Sequence, residues 1–147
     1  MQSDTGMPVI EVDPNQAAGA AEDRAYRVMV VDDSKTIRRT AETLLRKEGF
    51  EVVTAMDGFE ALGKIVDYHP NLIFLDIMMP RLDGYQTCAL IKRHRVFRAT
   101  PVVMLSSRDG LFDRARGRVV GSDCHIAKPF TKEDLLAVIA DYGGGLR

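Results

Sequence analysis

Cysteine is scarce. Cys88 and Cys124 are the only two, far apart and outside any CxxC pair. That spacing argues against a disulfide framework or a thiolate metal site, and for reduced, packed thiols. Neither sign of charge is in excess. The formal net charge is -1, so no global field draws the chain to nucleic acid or to a membrane surface. No apolar run approaches the roughly 20 residues needed to span a bilayer. No basic region followed by an apolar stretch marks a secretory signal at the N-terminus. A cytoplasmic location without membrane insertion is the resulting expectation. Internal repeats are missing as well.

What is present suits one globular domain. The chain has 147 residues, 46% of them hydrophobic and 28% charged, enough for a real core. Residues 1–25 read as a tail. Gly6, Pro8, Pro14, Gly19, several alanines and scattered acids surround one short apolar pair, Val9-Ile10. Such a segment buries too little surface to offset its chain entropy, so disorder or loose docking is expected. The domain should span 26–142, with a short C-terminal tail over 143–147.

Five strands alternate with five helices. Arg27–Val31 is the first strand and runs into Asp32-Asp33. Ser34 can cap a helix to about Glu48, with Ile37, Ala41, Leu44 and Leu45 on its inner face. Gly49 fits the left-handed residue that closes it. Glu51–Ala55 is the second strand. Asp57-Gly58 turns into a helix that faces Ala61, Leu62, Ile65 and Val66 inward and ends before Pro70. Leu72–Leu75 is apolar throughout and stops at Asp76, as a strand buried on both faces would, and Pro80 keeps the ladder from continuing. A third helix opens at Asp83-Gly84 and packs Cys88, Ile91 and Ala89. Val102–Leu105 is the fourth strand, ending at Ser106-Ser107. A basic helix over Leu111–Val119 follows. His125–Ala127 is a short fifth strand, ending at Lys128-Pro129. Thr131–Asp134 resembles a capping box for a last helix that faces Leu135, Leu136, Val138 and Ile139 inward. Gly143-Gly144-Gly145 stops it.

Right-handed crossovers split such helices between the two faces of a parallel sheet. The expected fold class is α/β, a three-layer sandwich around a five-stranded parallel sheet. Its flavodoxin-like strand order would be 2-1-3-4-5. In that order the strand ends carrying Asp32-Asp33, Asp76, Ser106 and Lys128 can share one pocket. Clustered carboxylates repel, and a hard divalent cation with oxygen ligands and retained waters, such as Mg2+, would compensate. Lys128 adds a fixed positive charge and Ser106 a hydroxyl donor. The site then suits a phosphoryl group, with one aspartate free to act as nucleophile and form an acyl phosphate.

This set resembles the receiver domain of two-component response regulators, the CheY-like fold. Val30-Val31-Asp32-Asp33-Ser34, Leu75-Asp76-Ile77-Met78-Met79-Pro80-Arg81-Leu82-Asp83-Gly84 and Lys128-Pro129-Phe130 carry the resemblance. It covers about residues 26–142. No DNA-binding output domain is expected after Arg147. Among single-domain receivers the chain is most similar to the PilG type, which serves type IV pilus twitching motility, through stretches such as Leu111-Phe112-Asp113 and Gly121-Ser122-Asp123.

The resemblance implies roles. Asp76 is the phosphoacceptor. Asp33, Asp76 and the backbone carbonyl of Met78 bind Mg2+ directly, and Asp32 acts through metal-bound water. Lys128 pairs with Asp76 or with phosphoryl oxygens, Ser106 bonds the phosphoryl group, and the Lys128-Pro129 peptide is cis. His125 stands where the family often has the Tyr or Phe that rotates on switching. Met78 and Arg108 flank the site and help set the phosphoryl lifetime. The phosphodonor is a histidine kinase, CheA-like if the PilG resemblance holds. A downstream protein docks on the face made by the fourth helix, fifth strand and fifth helix. The chain is a monomer or weak dimer and a switch rather than an enzyme acting on other substrates.

Other readings stand beside this one. A haloacid-dehalogenase-type phosphatase needs a DxD pair after its first strand, which Asp32-Asp33-Ser34 lacks. A flavin carrier needs a hydroxyl- and glycine-rich loop there, and two aspartates would repel its phosphate. A phosphorylation-independent adaptor fits the fold, though the intact site argues against it, and a receiver controlling chemotaxis or another output is a further alternative. Taken singly, an Asp-Asp turn or a Lys-Pro step means little. His69 and His94 read as surface residues. Arg108, Arg114, Arg116 and Arg118 either solvate a helix face or dock an acidic partner.

Overall fold

A computed structural model describes residues 25–107 and 111–142. The expectations for residues 1–24, Arg108 and Gly143-Gly144-Gly145 fall outside them. In chain order the elements are β1 (Arg27–Val31), α1 (Lys35–Lys47), β2 (Glu51–Ala55), α2 (Gly58–Tyr68), β3 (Leu72–Asp76), α3 (Gly84–Arg93), β4 (Val102–Ser106), α4 (Leu111–Val119), β5 (Cys124–Ala127) and α5 (Lys132–Tyr142). The strands form one parallel sheet in the order β2-β1-β3-β4-β5.

Local chemistry sets the helix ends. The Ser34 hydroxyl accepts from the Ile37 amide and the Asp57 carboxylate from the Glu60 amide. Asp83 and Gln86 form a reciprocal capping box, and Thr131 and Asp134 form another. Each supplies partners to first-turn amides that the helix itself leaves unpaired. Past α1, Gly49 takes φ +93°, and His69 closes α2 at φ +48°.

Alternation along the strands divides the core. Val28, Val30, Leu72, Phe74, Val103 and Leu105 meet Ala41 and Leu45 of α1 and Leu135 and Ile139 of α5. Met29, Val31, Ile73, Leu75, Val102 and Met104 meet Ala61 and Ile65 of α2 and Cys88 and Ile91 of α3. Each fully buried large side chain contributes about 1.5–3 kcal/mol.

Val66 departs from the reading of the sequence. It is 56% exposed rather than inward. Its helical position matches the apolar stripe, but no described element covers the groove between α2 and α3 that it borders.

Candidate functional site

The alternation that builds the core also delivers the site. Val28-Val30, Leu72-Phe74 and Cys124-Ile126 point to the α1–α5 side of the sheet. Continuing each row by two residues gives Asp32, Asp76 and Lys128. The three charged groups therefore finish three rows on one side, at the carboxyl end of the sheet, where open α/β folds place their chemistry.

Asp32 is fully buried. Its Oδ1 accepts from the Ser34 amide at 2.9 Å and its Oδ2 from Lys128 Nζ at 3.1 Å. The Arg38 guanidinium donates to the Asp32 carbonyl at 2.7 Å, fixing the turn into α1. Asp76 is only 2% exposed, and its Oδ1 accepts from Lys128 Nζ at 3.0 Å. Asp33 is exposed at the rim. Carboxylate oxygens of Asp32, Asp33 and Asp76 lie within 4.8 Å of one another.

Three carboxylates face one ammonium, and the titration behaviour records the imbalance. Burial, and then the Asp32 charge, push the Asp76 carboxyl up to about 6, against the smaller downward pull of Lys128. Burial alone would lower the Lys128 ammonium, but its bonds and charge pairing with Asp76 and Asp32 outweigh that and raise it. Surplus negative charge on converging oxygens is the donor set a hard divalent cation prefers. An aspartate held by a lysine beside such a cation is also a competent nucleophile toward phosphorus.

Ser106 ends β4 and is 4% exposed. Its carbonyl accepts from the Lys128 amide at 2.6 Å, so β4 and β5 are tied together at the site. By alternation Ser106 shares the α2–α3 side of the sheet with Met104. His125 pairs in register with Met104, and Ala127 with Ser106. His125 thus lies on the same side as Ser106, away from the carboxylates, with both ring nitrogens shielded from solvent. The Lys128-Pro129 peptide is cis. Met78, two residues past Asp76, is 71% exposed. The geometry brings together Asp32, Asp33, Asp76 and Lys128, sets Ser106 on the neighbouring strand end, and places His125 apart.

Several supporting residues escape the sequence reading. A Cβ at Gly84 would overlap the carbonyl oxygen of Asp76, so the start of α3 lies directly against that aspartate. The Gly84 amide also donates to the Ile77 carbonyl at 2.9 Å. Arg81, at φ +68°, binds Asp57 at 2.7 Å and lies 5.5 Å from the Phe59 ring centre. It ties the loop after Asp76 to the start of α2. Asp83-Gly84 is legible as a helix start, but no local signal says what the glycine touches. Arg116 stacks over Tyr85 at 4.5 Å, so this arginine of the basic stretch is engaged within the chain.

Comparison with known proteins agrees with this geometry. The profile of the response regulator receiver domain matches residues 28–140. Protein PilG of Pseudomonas aeruginosa is 71% identical over 113 residues, which are 77% of this chain and 84% of that protein. A probable transcriptional regulator, ycf27 of Cyanophora paradoxa, is 43% identical over 77% of this chain, which spans only 46% of its length. The chemotaxis protein CheY4 of Vibrio cholerae superposes with a TM-score of 0.78 at 31% identity, covering 81% of this chain and 99% of CheY4. The receiver domain of a Pseudomonas aeruginosa sensor histidine kinase, solved with magnesium in its active-site cleft, superposes at 0.76 with 24% identity, covering 83% of this chain and all of that one, and bears on the fold. With the strand order, the acidic pocket and a family profile running through nearly all the described residues, the chain belongs to the response regulator receiver domain family.

Proposed function

We propose that this chain is a phosphorylatable receiver, with Asp76 accepting a phosphoryl group from a histidine kinase in the presence of Mg2+. One observation carries the reading. A nearly buried Asp76 shares its pocket with two further carboxylates and receives the single ammonium of Lys128. The donor set fits Mg2+: Asp33, Asp76 and the Met78 carbonyl would hold it directly, and Asp32 would act through metal-bound water. When bound, Mg2+ supplies the positive charge that the pocket lacks.

An Asp76 carboxylate oxygen bonds to phosphorus as the bond from phosphorus to the kinase imidazole nitrogen breaks. Lys128 moves from Asp76 to the phosphoryl oxygens, and the Ser106 hydroxyl donates to another of them. The site gains about one unit of negative charge, since phosphoryl groups carry roughly two. Charge-assisted bonds draw Ser106 inward. His125, on the same side of the sheet, takes the space and alters the face of α4, β5 and α5. Phosphorylation thereby shifts a population between two forms of that face. Exposed Met78 offers no polar side chain to place an attacking water, which favours slow self-dephosphorylation.

The similarity to PilG supports a CheA-like phosphodonor and an output in type IV pilus twitching motility, carried by a cytoplasmic monomer or weak dimer that binds a downstream protein. Among the described residues no helix is long and apolar enough to cross a membrane.

The test is intact mass after incubation with a small acyl phosphate, with and without Mg2+. A Mg2+-dependent gain of one phosphoryl group, lost in Asp76→Ala, is expected. No gain with the small donor or with a CheA-like kinase would favour a phosphorylation-independent adaptor.

A further inference from the structure

The end of the domain opposite the acidic pocket carries an apolar groove that receiver chemistry does not use. Leu62, Ile65 and Val66 of α2 form one wall, Leu90 and Ile91 of α3 the other, and Phe97 closes it, enclosing about 260 Å³. The Phe97 ring lies between His69, at 5.3 Å, and His94, at 4.8 Å. Nine large apolar residues are exposed among the described ones, and four of them, Val66, Tyr68, Leu90 and Val96, gather at this end. That clustering marks an interaction surface rather than scattered exposure. The flank is cationic. Arg93, the last residue of α3, and Arg95 and Arg98, in the turns that carry His94 and Phe97, are all exposed. Opposite them stand Asp67, also exposed, and Lys64, which is tied to Glu60 and the Thr54 carbonyl.

The chain carries a matching ligand on a short tether. Residues 1–24 hold five acids, Asp4, Glu11, Asp13, Glu22 and Asp23, against one base, Arg24. Their densest apolar stretch is Met7-Pro8-Val9-Ile10-Glu11-Val12-Asp13. In an extended chain Ile10 and Val12 share one side, and Glu11 and Asp13 the other. The domain begins beside the groove. The Arg27 amide binds the Asn71 carboxamide at 2.8 Å, and its guanidinium binds the Tyr68 carbonyl, two residues past Val66. Only residues 14–24 separate that stretch from the described domain, and so short a connection gives an effective concentration of order millimolar.

We propose that residues 7–13 dock in the α2–α3 groove of their own chain. Ile10 and Val12 enter the apolar slot, and Glu11 and Asp13 face Arg93, Arg95 and Arg98. The segment shields the exposed apolar surface and holds the groove against other apolar partners. This rests on the groove and the tail, independently of phosphorylation.

The test uses the full chain with a nitroxide at Asn15→Cys in a Cys124→Ser background, leaving the buried Cys88 in place. Methyl resonances of Val66 and Leu90 should broaden strongly while those of Leu45, on the opposite side of the sheet, do not. Val66→Glu, at a half-exposed site, should cut that broadening several-fold with the spectrum still dispersed. Ile10→Asp should do the same. Broadening without preference for the groove, or unchanged in both variants, overturns the proposal. So does broadening of unlabelled chains mixed with labelled ones, which would make a second copy the occupant.

Discussion

β3 and β4 are buried at every position, whereas all four residues of β5 are only partly buried. All three lie in one parallel sheet, and although β5 pairs on one side only, edge pairing by itself does not expose side chains that stand off the two faces. Coverage separates them. β3 and β4 have helices packed on both sides. β5 is an edge strand whose neighbour α4 buries, among its described side-chain environments, only Gly117. Asp76, the proposed acceptor, ends the fully buried β3, and its partner Lys128 follows directly from the partly buried β5. A charge change at Asp76 therefore reaches, through one ammonium, the part of the molecule with the least packing to lose. Regions of low local stability are where switching elements are found.

The largest effect should come from testing that contrast by truncation. Phe74→Ala in β3 should cost about 3–5 kcal/mol in urea unfolding, and Ile126→Ala in β5 about 1–2 kcal/mol. Equal costs would remove the distinction between floor and edge.

A second test uses the strain at the floor. In magnesium-free buffer the native Asp76 carboxyl titrates at about 6, against 3.8 for an unperturbed one. Between those values the native state holds a proton that the unfolded state has released. Stability therefore falls as pH rises from about 4 to 6, and above that the penalty is fully present. Asp76→Asn should be more stable than the parent at pH 7 by up to about 3 kcal/mol, with no advantage at pH 4. Unfolding curves at both pH values check the sign.

The smallest effect concerns the rim. Met78→Asn should shorten the lifetime of the acyl phosphate several-fold without changing the unfolding midpoint. A lifetime of seconds in the parent protein would contradict slow self-dephosphorylation.

Much of this was legible in the sequence because it is written locally. Apolar runs that stop at Asp32, Asp76 and Ser106 reveal the buried strands, and the short Cys124–Ala127 strand that stops at Lys128 adds the fourth polar end. Capping at Ser34 and Thr131 is equally local. What was not legible depends on contacts between distant segments. Val66 fits an inward stripe, and only the missing cover over α2 and α3 exposes it. Gly84 reads as a helix start, while its need for a bare Cα comes from the Asp76 carbonyl beneath it. Arg81 and Arg116 look like solvated charges until Asp57 and Tyr85 are placed beside them.

The most direct measurement is amide hydrogen exchange with and without an acyl phosphate and Mg2+. The account predicts altered protection in β5, in the C-terminal half of α4 and in α5, with β1 and β3 unchanged beyond the residues touching the site. Phosphorylation proven by mass with no change at β5 and α4, or with equal change across the sheet, would contradict it.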